Sequence, residues 1–316
     1  MFPLHDVVIF GNVELVREAL ETYKEVDQSH YDGVTPLHMA CLAGRLDIVK
    51  LLIDHGANVE ATCQEGSTPL CGAAAGCHPE IAALLLKYGA RVNPPLLLST
   101  PLHEACIRSS ANPENCLQVV RLLLDHGADI SCSDSHYGTP LHAACSKREP
   151  NLRVIELLLQ SGSNPNCLQY HRTPLHLIAE NSQSYDCALT LISYGADINL
   201  TNWRDKRAID LVPKGTLLHD LLLTCGHQPL PLQHMARLAA RKALGRDRLK
   251  HVNDLLIPAG TAENFPMLVA GLLLTWTLLG LNGEAVNTYD GEFASADVSQ
   301  TSIVAGTIPF ILVGKS

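Results

Sequence analysis

The sequence has few aromatic residues and lacks the short motifs typical of most hydrolases, zinc enzymes and nucleotide-binding proteins. Phe, Trp and Tyr make up 5% of its 316 residues, and charged residues make up 17%. No H-E-x-x-H zinc motif, glycine-rich phosphate loop or G-x-S-x-G nucleophile motif is present. We therefore expect a protein that is not an enzyme and that needs no cofactor or metal.

Pairs of the form C-x-x-C, typical of zinc sites, are also absent, although the chain has 11 cysteines. Cys41, Cys106 and Cys145 occupy equivalent positions of a repeat, where a small apolar side chain fits between helices. We expect buried thiols at these positions. The odd total and the missing N-terminal signal peptide favour a reducing, cytoplasmic setting.

Charge is distributed unevenly along the chain. Residues 1–228 carry 16 Lys and Arg against 25 Asp and Glu, residues 229–258 carry 6 against 2, and the remainder carries 1 against 5. An acidic N-terminal part argues against nucleic acid as a partner, because phosphate binding needs clustered cations.

The phrase T-P-L recurs at residues 35, 68, 100, 139 and 173, and four of the five copies continue with His. Degraded copies stand at 2–5 and 207–210. A period near 33 residues indicates a helical solenoid. Thr is a good helix N-cap and Pro fits the first helical position. A glycine follows the second helix of each unit, at 56, 89, 127, 162 and 195, where a left-handed cap is favourable.

The phrases Leu37–Cys41 and His55–Val59 resemble the ankyrin repeat. The resemblance implies an all-α solenoid of helix-turn-helix units with projecting loops. It covers residues 1–226, as six units and a degraded terminal unit. It also implies a structural hydrogen bond for the histidine of each T-P-L-H phrase.

Several departures from the repeat draw attention. Extra residues fall between the two helices around Ser109–Asn115, Arg148–Asn151 and Ser182–Ser184, either as functional surface loops or as looser turns. Three leucines, among them Leu97, occupy a loop that is normally polar. They are either exposed for a partner or packed against the next helix pair.

Ankyrin proteins bind partners across the loop tips and the surface of the first helices. Aromatic and Arg side chains at such positions suit interface anchors. Matching positions between units gives these candidate substrate-binding residues: Tyr31, Leu42, Glu65, Leu97, Ile107, Arg108, His136, Lys147, Tyr170, Arg172 and Trp203.

A different module follows the repeats. Residues 231–245 predict one amphipathic helix with a glycine stop, and its apolar stripe must be buried against something. The run Pro-Leu-Gln-His-x-x-Arg-Leu-x-x-Arg-Lys-Ala-Leu-Gly resembles the SOCS box of the ankyrin-repeat and SOCS-box family, here over residues 229–258. The resemblance implies an intracellular adaptor that docks elongin C with elongin B, and a cullin-5 scaffold with its RING subunit, to ubiquitinate a protein substrate.

Carried over by position, the elongin-binding residues are Leu232, Met235, Ala236, Ala239 and Ala240. Ala236 stands where the family prefers Cys, and Ala240 where it prefers a larger aliphatic side chain. Each lost methylene removes about 0.8 kcal/mol of burial energy, so elongin affinity is expected to be lower than usual. The cullin-binding segment is matched by Leu255, Ile257 and Pro258, after which the family pattern ends.

Residues 259–316 form an atypical hydrophobic tail. The run 265–283 is 19 residues without a charge, close to the length of a membrane span. Pro266 and the lack of flanking basic residues oppose a span. The alternatives are a helix packed on the rest of the protein or a poorly ordered terminus.

Two functions follow. One is a substrate-recognition adaptor of a cullin-RING ubiquitin ligase. The other is an ankyrin scaffold whose ligase coupling is weakened or lost, with a tail that tethers it to a membrane.

Overall fold

The computed structural model describes residues 3–10, 12–22, 25–95, 99–109 and 112–227. Within these ranges the α-helices are α1 (Pro3–Phe10), α2 (Val13–Thr22), α3 (Pro36–Leu42), α4 (Leu46–Asp54), α5 (Pro69–Ala75), α6 (Pro79–Lys87), α7 (Pro101–Arg108), α8 (Pro113–Asp125), α9 (Pro140–Cys145), α10 (Leu152–Gln160), α11 (Pro174–Leu177), α12 (Tyr185–Ser193) and α13 (Leu217–His227). A π-helix (Ile178–Ser182) extends α11, and a 3₁₀ helix (Ala208–Leu211) precedes α13. The predicted all-α class is confirmed.

The helices stack in two layers. The first helices of successive units pack on one another from α1 through α3, α5, α7 and α9 to α11, and the second helices do the same from α2 to α13. Leucine and isoleucine side chains such as Leu52, Leu85, Leu123 and Leu158 are completely buried between the layers. One hydrophobic core therefore runs along the solenoid, and each unit is stabilised by its neighbours.

Each T-P-L-H histidine links its unit to the next one. In His38, Nδ1 bonds the Thr35 hydroxyl at 2.9 Å and accepts from the Thr35 amide, while Nε2 donates to the carbonyl of Ser67 at 3.0 Å. Because Nδ1 accepts an amide hydrogen, the ring must carry its proton on Nε2. His103, His142 and His176 repeat the arrangement, and each reaches a carbonyl at or near the residue before the next unit's cap. The predicted structural role is confirmed.

These histidine bonds between successive units are here called the histidine ladder. One T-P-L phrase has no histidine, so the ladder is interrupted there. The third unit has Cys71 in the histidine position, where its thiol accepts from the Thr68 hydroxyl at 3.5 Å. By analogy with the other units, a histidine here would reach the carbonyl of Ser99. The buried Ser99 hydroxyl also lacks a hydrogen-bond partner among the described residues. The junction between the third and fourth units therefore lacks the histidine link that its neighbours have.

A second set of polar links joins the loops. The side chain of Asn93 donates to the carbonyl of Gly127 and accepts from the amide of Asp129, both at 2.9 Å. Asn166 makes the same pair of bonds to Gly195 and Asp197 two junctions later, at 2.8 and 2.7 Å. These asparagines satisfy main-chain groups at the end of the following unit.

For two of the three segments, the prediction that the extra residues form a loop between the helices is partly wrong. Of the segment 109–115, the last residues form the first turn of α8, which has 13 residues where α4, α6, α10 and α12 have 9. The extra residues near Ser182 are absorbed by the π-helix, which accommodates one additional residue per turn. Only the insertion at Arg148–Asn151 is a plain turn, and Asn151 caps α10.

The cysteines fall into two groups. Cys41, Cys106 and Cys145 are free, and burial raises their thiol pKa values, as expected for inert core thiols. Cys77 and Cys116, in contrast, are joined by a disulfide with 4.8 Å between their Cα atoms. The expectation of buried thiols concerned Cys41, Cys106 and Cys145 alone and is confirmed, whereas the pairing of Cys77 with Cys116 was not predicted. The longer α8 is the reason, since its first turn places Cys116 against the left-handed turn at Cys77.

The array closes with the degraded unit. The 3₁₀ helix replaces a normal first helix, and Asp210 pairs with Arg207 at its start. α13, from Leu217 to His227, is the second helix of this unit. Leu97, residues 229–258 and the tail 259–316 lie outside the described residues. Among those that are described, no helix is long and apolar enough to cross a bilayer.

Candidate interaction surface

The projecting loops and the adjacent ends of the first helices form one surface, here called the loop face. Its loops comprise residues 25–34, 60–67, 129–138, 164–172 and 197–206. Three of these loops are each closed by an isolated β-bridge. The bridges pair Asp134 with Gly138, Gln169 with Arg172 and Thr201 with Arg207. Tyr170 and His171 adopt positive φ angles at the tip of one loop. The loops are therefore held by main-chain bonds and by the buried side chains of Asp134 and Asn202, which accept from amides of their own loops.

The candidate substrate-binding residues differ in exposure. Tyr31, Tyr170 and Trp203 are 89%, 62% and 62% exposed. Ile107 packs partly against the core. The remaining candidates fall in three groups: Leu42, Glu65, Arg108 and His136 are exposed, Lys147 and Arg172 are half-buried, and Leu97 is outside the described residues.

Aromatic rings and cations lie together toward the C-terminal end of the loop face. The Lys147 ammonium lies 5.6 Å from the ring centroid of Tyr137, and the Arg204 guanidinium lies 4.3 Å from that of Trp203. Both geometries fit cation–π contacts. The Tyr170 hydroxyl donates to the carbonyl of Ser135, which ties the loop 164–172 to the loop 129–138. The side chain of Asn166 accepts from the amide of Asp197, which ties the loop 164–172 to the loop 197–206, so three successive loops form one aromatic and cationic area.

A cleft of about 610 Å³ opens within this area. Tyr170, Arg172, Glu180, Trp203 and Lys206 are among its lining residues. Arg172 donates to the Glu180 carboxylate at 3.0 Å across the cleft wall. The cleft has room for several side chains of a bound segment and presents aromatic faces beside charged groups.

The pKa of Lys147 shows that another positive charge lies close to it. Partial burial lowers the pKa of Lys147, and the positive charge of Arg108 lowers it further, while Glu104 raises it. Within the part of the chain that the structure describes, neither Arg108, Lys147 nor Arg204 forms an ion pair. An incoming carboxylate would relieve this repulsion.

Sequence comparison between units missed three residues of this area. Tyr137, Arg204 and Lys206 each lie next to or near a position that was selected, His136 or Trp203. Matching positions between units cannot tell which neighbouring side chains in a loop also reach the surface. The sequence signal that could have found these three residues is their aromatic or basic side chain close to a selected loop position.

No group of His, Cys, Asp or Glu side chains that could hold a metal ion occurs among the described residues. The T-P-L-H histidines are committed to hydrogen bonds, and burial lowers the pKa of His103 and His142.

Two family models match the chain. The model for ankyrin repeats matches residues 4–95, 58–134 and 102–202, and the model for the SOCS box matches residues 228–260.

Curated relatives combine the same two modules in their names. Ankyrin repeat and SOCS box protein 5 of Oryctolagus cuniculus is 32% identical over 168 residues, 53% of this chain and 48% of the relative. Protein 11 of Mus musculus is 35% identical over 152 residues, 48% of this chain and 44% of the relative. Protein 9 of Mus musculus is 33% identical, covering 52% of this chain and 54% of the relative. The matches thus span about half the length of these relatives.

Two solved ankyrin repeat domains are similar in structure to this chain. The ankyrin repeat domain of human ASB11 superposes with a TM-score of 0.65 at 27% identity and covers 72% of this chain and 100% of its own. The ankyrin repeat domain of Bcl-3 superposes with a TM-score of 0.54 at 28% identity, covering 71% of this chain and 98% of its own. This chain belongs to the ankyrin-repeat proteins, and to those of them that also carry a SOCS box.

Proposed function

We propose that the protein is a non-catalytic, cytoplasmic adaptor of an elongin B/C–cullin-5 RING ubiquitin ligase that recognises a protein substrate through its loop face. Residues 1–226 would hold the substrate, and residues 229–258 would dock the ligase. The observation that carries the proposal is the SOCS-box match that begins at residue 228, directly after α13. The named relatives have both modules in their names.

The docking half of the proposal rests on a single helix. Leu232 is the anchor for elongin C, flanked by Met235, Ala236, Ala239 and Ala240 on one stripe. A leucine that enters an apolar pocket contributes about 1.5–3 kcal/mol when fully buried, and a charge in its place leaves an unpaired cation in that pocket. Leu255, Ile257 and Pro258 would contact the cullin.

Co-precipitation from cells tests this half. Tagged wild-type protein should recover elongin B, elongin C and cullin-5, and Leu232→Arg should recover none of them. Lys242→Ala, on the polar face of the same predicted helix, is the matched control and should behave as wild type. Equal recovery by wild type and Leu232→Arg would refute the ligase assignment.

A second function, an ankyrin scaffold with weakened ligase coupling, is favoured by Ala236 and Ala240, which reduce the volume available for elongin contact. It predicts that elongins are recovered without the cullin, and that carbonate extraction leaves the protein in the membrane fraction through residues 259–316. Restoring volume with Ala236→Cys and Ala240→Leu should then increase elongin recovery.

A further inference from the structure

We infer that the C-terminal end of the loop face recognises an acidic, aromatic-containing segment of the substrate. The inference rests on the proposed adaptor function and specifies the class of protein it would capture. Its basis is a set of five side chains, here called the cationic patch: Arg108, Lys147, Arg172, Arg204 and Lys206.

The cationic patch is continuous in space. Arg108 ends α7 and Lys147 follows α9, and these two helices pack side by side, close enough for the Arg108 charge to affect Lys147. The Tyr137 ring, under Lys147, belongs to the loop whose Ser135 accepts the Tyr170 hydroxyl bond. Tyr170, Arg172, Arg204 and Lys206 then line the cleft.

Nearby acids neutralise only part of this charge. Glu180 is bonded to Arg172. Glu104, Asp205 and the buried Asp134, which accepts from the amides of His136 and Gly138, remain against the other four cations. The patch therefore has surplus positive charge that a bound carboxylate can use.

The opposite end of the loop face has the opposite sign. Its first two loops carry Asp32 and Glu65, while Arg91, which follows α6, is bonded to Glu60. A nucleic acid strand, uniformly anionic, would be repelled there. A protein segment with acids at one end only is not. The exposed rings of Tyr170 and Trp203 add contact area for apolar or aromatic side chains between the acids.

Fluorescence anisotropy on the full-length protein tests the inference with three labelled 12-residue peptides. They share Leu and Phe at the same positions and carry Glu, Gln or Lys at all others. We expect the Glu peptide to bind, with affinity falling about ten-fold from 50 to 300 mM NaCl as the charges are screened. The Gln peptide should bind at least about ten-fold more weakly, and the Lys peptide should show no saturable binding.

Variants locate the site. Lys147→Glu with Arg204→Glu, and separately Trp203→Ala, should each weaken the Glu peptide at least about ten-fold at an unchanged melting temperature. The matched control reverses two exposed charges on second helices, Lys87→Glu with Arg121→Glu, and should leave binding unchanged.

Three results would overturn the inference: no binding of the Glu peptide, binding of the Gln or Lys peptide as tightly as the Glu peptide, or tighter binding of a 12-nucleotide oligouridylate than of the Glu peptide. Elongin recovery by the wild type is measured independently. If it persists while the peptide result is negative, the adaptor function stands and only the substrate class falls.

Discussion

The histidine ladder predicts that the solenoid loses stability as the pH falls through the unfolded-state pKa of histidine. Burial lowers the pKa of His38, His103, His142 and His176 from the ordinary 6.5. In the folded protein Nδ1 accepts the amide of the capping Thr, as at Thr35, Thr139 and Thr173, so a proton cannot add there without breaking that bond. Below pH 6.5 the unfolded chain therefore binds more protons than the folded one, and stability falls.

The size of the effect has an upper limit. A histidine that stays neutral in the folded state and titrates at 6.5 when unfolded loses about 1.4 kcal/mol of stability between pH 7.5 and 5.5. Four such residues give at most about 5 kcal/mol, a large share of the 5–15 kcal/mol (roughly) by which native domains are stable.

Urea unfolding followed by circular dichroism at 222 nm, at pH 7.5, 6.5 and 5.5, measures it. His142→Gln should reduce stability at pH 7.5 and should also reduce the pH dependence by up to about 1.4 kcal/mol. His126→Gln, at an exposed position after α8, is the control and should leave the pH dependence unchanged. A free energy of unfolding that is constant over this range, or equal effects of the two variants, would refute the reasoning.

Three further predictions each concern the replacement of a single residue. Cys71→His should supply the missing link to Ser99 and stabilise the array by about 0.5–1.5 kcal/mol, measured as a higher urea midpoint; a lower midpoint would mean that the ring does not fit. Asn166→Ala leaves the Gly195 carbonyl and the Asp197 amide without their partner and should cost about 1–3 kcal/mol, whereas Asn164→Ala, exposed in the same loop, should cost less. Leu97→Asp should abolish substrate capture at an unchanged melting temperature if Leu97 meets a partner; a large drop in melting temperature would instead show that it packs internally.

Much of the architecture was predictable because each unit repeats the same local chemistry. Thr and Pro mark the helix starts, and the glycines at 56, 89, 127, 162 and 195 all have positive φ, as the left-handed caps require. The buried thiols and the histidine bonds followed from the same repeat. Sequence signals within one unit are sufficient to predict the contacts that recur in every unit.

The remaining features depend on contacts between units that do not repeat. The disulfide needs the extra turn of α8, and nothing in the spacing of Cys77 and Cys116 indicates that turn. The π-helix takes up a residue that position counting assigns to a loop. In the candidate site, Lys147 and Tyr137 meet because two loops converge, so sequence matching found the first and missed the second.

Cys71 removes one histidine bond from the junction between the third and fourth units, where the Asn93 bonds to Gly127 and Asp129 remain. In a linear array, stability is close to a sum of nearest-neighbour terms, so opening at this junction separates two blocks. The first block would comprise α1 to α6 and the second α7 to α13. Cys77 and Cys116 lie on opposite sides of that same junction, so their covalent bond would keep the blocks together when the packing between them opens. Amide exchange measured with and without a reductant should therefore differ most at the seam between α5 and α7.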